Sequence, residues 1–180
     1  TLGQQVVIES FAKELIKLIQ NAIYTKPIKR ISRRKVKGRY VDTAFSSPVN
    51  ASGELAKTLR YELTDTYLKI YANDYIFELI YGKKPSSTGN SLDLDFTLEN
   101  QIKKWMSDKG IKAKDGMDDD TLAALITRKI QRFGSSIYLA NKGQNSGLLE
   151  NIISQQIISD HNSKFTQQLS EDFKSAFING

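Results

Sequence analysis

Two short runs of alternating apolar and polar residues, separated by a turn, constrain the fold of this chain most. In LAKTLRYEL (residues 55–63) every second side chain from Leu59 onward is apolar, and YLKIYA (residues 67–72) alternates in the same way. The residues between them, 64–66, are of types that form turns. The pattern predicts an antiparallel β-hairpin with one half-buried face.

A short helix is predicted directly after this hairpin. Asn73 and Asp74 are good N-cap types ahead of YIFELIY, and Gly82 is a good C-cap type behind it. The next stretch, from Lys83 to Phe96, is rich in Gly, Ser and Pro, which predicts a mobile surface loop.

Apolar residues recur every three or four positions in the remaining stretches, which predicts amphipathic helices. These run from Gln4 to about Thr25, from Thr97 to Lys109, from Thr121 to Phe133 before Gly134, and from about Gly147 to Phe177. The sequence SDHNS (residues 159–163) leaves open whether the last stretch is one helix or two. We therefore expect a single α+β domain over residues 1–180, in which a small antiparallel sheet with a β-hairpin is packed by an N-terminal helix and several C-terminal helices.

Composition excludes several kinds of chemistry. The chain has no cysteine and one histidine, so disulfides, thiolate zinc sites, cysteine nucleophiles and multi-histidine metal sites are ruled out. No apolar run approaches the roughly 18–20 residues of a membrane span, and the first residues lack the pattern of a secretory signal. No GxSxG, P-loop or GxGxxG motif is present. We expect a soluble, unexported protein that is not an enzyme, with no cofactor, no metal site and no membrane partner.

The acidic run before one helix and the single histidine are both explained by structural roles, without a metal site or catalysis. The segment KDGMDDDTL has the wrong acid spacing for a calcium loop, so Asp118, Asp119 and Asp120 are expected to cap the following helix and complement its dipole. His161 lies between Asp160 and Asn162, and we expect it to be a surface or capping histidine.

A metal-dependent nuclease is the main enzymatic alternative. Such a site needs two or three carboxylates and a lysine beside the scissile phosphate, and Asp93, Asp95, Glu99 and Lys103 have suitable types. Asp93 and Asp95 follow no strand pattern, however, which favours a solvated loop followed by an ordinary helix.

The positive charge of the chain is concentrated in one segment. The net charge is +6, yet KPIKRISRRKVKGR (residues 26–39) holds eight basic residues and no acid, so the remainder of the chain is slightly acidic. We expect the segment to continue as an exposed strand or loop toward Pro48. Three interpretations remain open: a solvated face, contact with an acidic protein neighbour, and contact with a DNA backbone. Besides Lys26, the basic residues, which are the candidate partner or DNA contacts, are Lys29, Arg30, Arg33, Arg34, Lys35, Lys37 and Arg39.

The order of the pieces over residues 50–135 resembles the neck, head–tail joining and tail-completion proteins of tailed bacteriophages. In that family a hairpin follows an "sG.L..sl.y.v" run, and a "YA..VE.Gt..P" segment comes next. Helices with "I..W...kGi" and "I.r.I...G" follow. The corresponding residues here are Ser52, Gly53, Leu55, Leu59 and Tyr61, then Tyr75, Leu79, Gly82 and Pro85, then Ile102, Trp105, Lys109, Gly110 and Ile111, then Ile126, Arg128, Ile130 and Gly134.

The chain departs from the family pattern at two positions, where Ile76 stands for the frequent alanine and Ile80 for the frequent glutamate. The resemblance implies a virion structural protein, assembled in the host cytoplasm, that forms an oligomeric ring, often hexameric or twelvefold, in the neck or tail. DNA passes through the ring, which contacts portal, connector or tail-tube proteins. Alternatives from other classes are a DNA-binding or metal-dependent nuclease domain and an adaptor or toxin-like interaction domain.

Overall fold

The computed structural model describes residues 2–49, 53–64, 67–86, 96–114 and 116–178. Its helices are α1 (Leu2–Thr25), α2 (Glu54–Thr58), α3 (Tyr75–Ile80), α4 (Phe96–Asp108), α5 (Asp119–Phe133), α6 (Ser136–Asn141) and α7 (Gln155–Ile178). Its strands are β1 (Pro27–Val36), β2 (Arg39–Pro48), β3 (Arg60–Leu63) and β4 (Leu68–Tyr71). The described strands form two separate two-stranded antiparallel sheets, β1–β2 and β3–β4. The predicted α+β class is confirmed.

The hairpin predicted from alternation is β3–β4. Arg60 pairs with Tyr71 and Leu63 with Leu68, so the short strands match along their whole length. The side chains that the pattern assigns to the inner face are half-buried and those between them are exposed. Residues 65–66 of the predicted turn lie outside the described residues.

The basic segment forms the first strand of a second and longer hairpin. Each strand has ten residues, and Val36 pairs with Arg39 across a two-residue turn. Lys37 and Gly38 both have positive φ, 46° and 82°, which is the geometry of a type I′ hairpin turn. The sequence predicts an exposed strand or loop here, and the structure shows a strand. We call β1, the turn and β2 (residues 27–48) the basic hairpin.

Two predicted element boundaries were wrong. Residues 55–58 were included in the run predicted to form a strand, but residues 54–58 form α2, whose Leu55 and Ala56 are buried. The chain forms turns near residues 148–150, and α7 begins at Gln155 and not at Gly147. From there α7 is one continuous helix through residues 159–163. Helix α6 follows α5 closely and was not predicted.

The main core joins elements from both halves of the chain. Its buried apolar side chains come from α1, both ends of the basic hairpin, α2, the residue before β3, α3, α6 and the turn after α6. They are Ile23, Ile28, Val49, Leu55, Leu59, Ile76, Leu79, Ile80, Ile137 and Leu148. Since Ile28 and Val49 belong to this core, the base of the basic hairpin is anchored in the body of the protein.

The start of the predicted mobile loop is held in place. The carbonyl of Lys83 accepts a hydrogen bond from Ser135 N at 2.8 Å, and Ser86 N donates to the carbonyl of Gln131 at 3.0 Å. Residues 87–95 of that loop lie outside the described residues. The segment after Gly82 therefore packs against the end of α5 and the start of α6.

The acidic run before α5 is structural, as predicted. Asp118 accepts hydrogen bonds from the backbone N and the hydroxyl of Thr121, at 2.6 and 2.9 Å. Asp119 accepts from Ala113 N, and Asp120 forms an ion pair with Lys103 on α4. Backbone donation from Thr121 lowers the pKa of Asp118, as expected for a carboxylate that caps a helix.

Candidate functional site: the basic hairpin

Strand alternation divides the cations of the basic hairpin between its two faces. Arg30 and Arg34 lie on one face of β1, together with Arg39, whose cross-strand partner is Val36. Lys29, Arg33 and Lys35 lie on the opposite face, and Lys37 is in the turn. A run that looks uniformly basic in the sequence therefore presents positive charge in two opposite directions and at the tip.

Two basic residues of the segment have polar partners within the protein, and a third is half-buried. Lys26, just before β1, donates from Nζ to the carbonyl of Glu150 at 2.7 Å. Arg33 forms a bidentate ion pair with Asp42, in which Nε donates to Oδ1 at 2.7 Å and Nη2 donates to Oδ2 at 2.6 Å. This hydrogen bonding lowers the pKa of Asp42 and raises that of Arg33. Arg30 is half-buried, and burial lowers the pKa of its guanidinium, which stays protonated.

A ring at the end of α5 fixes one face of the basic hairpin. The guanidinium carbon of Arg33 lies 5.3 Å from the centroid of the Phe133 ring, and the Tyr40 ring meets it edge-on at 5.0 Å. Arg132 also lies over this ring, at 5.2 Å. Sequence analysis did not associate Arg132 or Phe133 with the site, because the contact depends on how α5 packs and has no local signal.

Five of the predicted contact residues remain available to a partner. All five are exposed, and none of the five forms an ion pair or a side-chain hydrogen bond with another described residue. They are Lys29, Arg34, Lys35, Lys37 and Arg39. The structure thus separates the seven predicted residues into these five, the half-buried Arg30, and Arg33, which is paired with Asp42.

The second strand of the basic hairpin differs from the first. Beyond Arg39, β2 carries one charged residue, Asp42, which is already paired with Arg33. Its apolar side chains are unusually open, since Val41 and Phe45 are each 42% exposed. Among the described strands β2 pairs with β1 alone. A long, nearly uncharged edge of this kind is a template for pairing with another chain.

The alternative nuclease residues are only partly described. Asp93 and Asp95 lie outside the described residues. Glu99 is buried on α4 and its Oε1 lies 2.8 Å from Nζ of Lys103, which also contacts Asp120 at 3.1 Å. Within the described ranges, no group of three or more His, Asp or Glu side chains could hold a metal ion. Of the four predicted residues, the structure describes Glu99 and Lys103, and these two form an ion pair.

The prediction for His161 was wrong. The side chain lies within α7 and is buried against α1, with Nε2 2.7 Å from Oε2 of Glu14 and the ring 4.6 Å from that of Phe11. His161 therefore joins the first and last helices. Its place on an apolar helix stripe, four residues before Phe165, was the available signal.

Exposed aromatic side chains form a further unpredicted feature. Tyr67 and Tyr71 of the second hairpin donate to the carboxylate of Glu62, at 3.4 and 2.6 Å. On α3, Phe77 is 59% exposed and Tyr81 follows it one turn later. Aromatic residues are enriched at protein interfaces, so these rings are candidate contacts with a partner protein.

Comparisons of the chain with protein-family models, with curated proteins and with solved structures found no match. Among the described helices, none combines the length and hydropathy needed to cross a membrane.

Proposed function

We propose that this chain is a structural protein of a tailed-bacteriophage particle, which assembles into a ring at the head–tail junction or in the tail. The proposal rests on the resemblance over residues 50–135 and on the surfaces that the fold leaves open. The protein acts by assembly and by shape, and its partners are further copies of itself and the neighbouring portal, connector or tail proteins.

The resemblance residues have positions that support a shared scaffold. Leu55, Leu59 and Leu79 lie together in the main core. Gly82 and Gly134 both pack against Tyr138, although 52 positions separate them in the sequence. Motif pieces that are far apart in the sequence thus serve one packing arrangement, which is the expected basis of a fixed order and spacing.

The observation that carries the proposal is the open edge of β2. Strand β2 carries Tyr, Val, Thr and Phe residues, which strongly prefer strands, and its single proline is the terminal Pro48. Natural monomers protect such edges with charges or bulges, and β2 has little such protection. Assembly with another subunit would cover it.

Assembly is tested by placing a lysine on this edge. Thr43 is exposed near the middle of β2, so Thr43→Lys introduces a charge without disturbing the core. The wild type is expected to form a ring visible by electron microscopy and light scattering, and the variant to form smaller species. Ser163→Lys, on an exposed position of α7, is the matched control and should assemble normally.

Membership of the virion is tested separately, by mass spectrometry of purified particles and by labelling of the neck. Every particle should contain the chain, in a copy number equal to the number of subunits in the ring. A protein that is absent from particles and stays monomeric at high concentration would contradict the proposal.

A further inference from the structure

We infer that the tip of the basic hairpin binds the phosphate backbone of duplex DNA. The contact residues are the four cations closest to the turn, which we call the tip cations: Arg34, Lys35, Lys37 and Arg39. This inference goes beyond assembly and does not require a ring, since each protomer carries its own arm.

Charge is the first argument. None of the tip cations has a carboxylate partner among the described residues, and the only acid of the basic hairpin, Asp42, is neutralised by Arg33. Their positive charge is therefore uncompensated and close together on an exposed arm. Such an arrangement attracts phosphates by several kT at short range.

The directions of these cations favour duplex DNA over an acidic protein face. Arg34 and Arg39 lie on one face of the arm and Lys35 lies on the other. A flat acidic surface can engage one of these faces at a time. The groove of a duplex has phosphates on both walls, so it can engage both faces and the turn together.

The dimensions of the arm agree with the major groove. A β-ribbon with its side chains is about 10 Å thick, and the groove is about 12 Å wide and about 8.5 Å deep. Arg34 lies three positions before Lys37, which is about 10 Å of strand. The tip cations can therefore all come close to the phosphates when the turn enters the groove.

Lys29 provides an internal reference for this geometry. It lies on the same strand and the same face as Lys35, and it is also exposed and unpaired among the described residues. Six positions separate the two lysines, which is about 20 Å of strand and more than twice the depth of the groove. Insertion of the tip thus uses Lys35 and leaves Lys29 outside.

The test compares Lys35→Gln with Lys29→Gln in binding to a short duplex of mixed sequence, by fluorescence anisotropy over a series of salt concentrations. Four phosphate contacts predict a slope of log K against log salt of about −3 to −4 for the wild type. Lys35→Gln should reduce the magnitude of the slope by about 1 and weaken binding about fivefold to tenfold in low salt, while Lys29→Gln should change neither.

Further variants distinguish a specific effect of the hairpin tip from the effects of a lower net charge and of a lost hairpin fold. Lys37→Asn removes a cation and keeps a residue that favours the turn, so it should behave like Lys35→Gln. Lys164→Gln with Lys174→Gln removes two charges from exposed positions of α7 and should leave the slope unchanged. Circular dichroism and hydrogen exchange over residues 27–48 verify that each variant keeps the hairpin.

The inference would be overturned by equal losses in Lys29→Gln and Lys35→Gln, or by equal affinity for a single strand of the same length. Binding of a polyglutamate peptide as tightly as the duplex would also overturn it and would assign the arm to an acidic protein. Light scattering on the same samples reports ring formation, so loss of DNA binding with intact assembly is distinguished from failure of the proposed function.

Discussion

Lys83 and Ser135 exchange two hydrogen bonds across 52 positions of sequence: Lys83 N donates to Ser135 Oγ at 3.0 Å, and Ser135 N donates to Lys83 O at 2.8 Å. The same hydroxyl also accepts from Tyr138 N at 3.3 Å and so caps α6. One side chain therefore starts a helix and fixes the segment that follows α3.

Replacement of Ser135 by alanine should lower the free energy of unfolding by about 1–2 kcal/mol, because two backbone donors lose their acceptor at once. Urea denaturation measures the loss. Ser159→Ala, at an exposed position of α7, is the control and should stay within about 0.5 kcal/mol of the wild type. Equal stability of the two variants would contradict a dual role for the hydroxyl.

Gly82 should be far less tolerant of a side chain than Gly110. Both have positive φ, 76° and 62°, but a Cβ at Gly82 would collide with the backbone of Tyr138, whereas Gly110 has open space around it. Gly110→Ala should cost about 1 kcal/mol from backbone strain alone. Gly82→Ala should cost at least about 2 kcal/mol more, since the close packing against α6 must also shift. Thermal unfolding of the two variants checks the difference, and similar midpoints would count against this contact.

His161 should be a major determinant of the attachment of α7 to α1. His161→Ala removes a buried ring from its contact with Phe11 and takes a partner from Glu14. We expect a loss of about 2–3 kcal/mol. Asn162→Ala changes the adjacent exposed residue and should have little effect. Hydrogen exchange should show faster opening of α7 in the first variant only, and uniform protection in both would rule out this role.

The accuracy of the sequence analysis followed how local each signal was. The β3–β4 hairpin was predicted correctly because the alternation from Leu59 onward is the direct consequence of a half-buried face. The basic hairpin has little such alternation, since beyond Ile28 most of its side chains are exposed on both faces. Its turn, Lys37-Gly38, is also a weaker signal than Asn-Gly.

Contacts between segments that are distant in the sequence could not be predicted from local sequence patterns. The ion pair between Arg33 and Asp42 depends on the register of the hairpin. The contact of Phe133 with Arg33 depends on how α5 packs. The burial of His161 similarly depends on α1, more than 140 residues earlier. The predicted cations were identified from the sequence, but which of them remain unpaired could be decided only by the fold.

The ion pair on the basic hairpin should depend on pH in a defined direction. Hydrogen bonds from Arg33 lower the pKa of Asp42, so the stabilisation by this pair is fully present above the ordinary Asp pKa and is lost as pH falls through the lowered value. NMR titration of the Asp42 carboxyl should give a midpoint below the usual range. In Arg33→Gln the midpoint should return toward the ordinary value, and an unchanged midpoint would show that another group lowers it.

Phe133 should control how rigidly the basic hairpin is held. Its ring contacts Arg33 and Tyr40 from the hairpin, and the strands beyond this point have few other anchors among the described residues. Phe133→Ala should therefore accelerate hydrogen exchange over residues 34–45 by more than it accelerates exchange in α1, with a loss of about 2 kcal/mol in global stability because the ring is half-buried. Phe133→Tyr keeps the ring and should preserve the protection. If the alanine variant exchanges like the wild type at the tip, the arm is held by its base in the core, where Ile28 and Val49 are buried, and the Phe133 contact adds nothing to its rigidity.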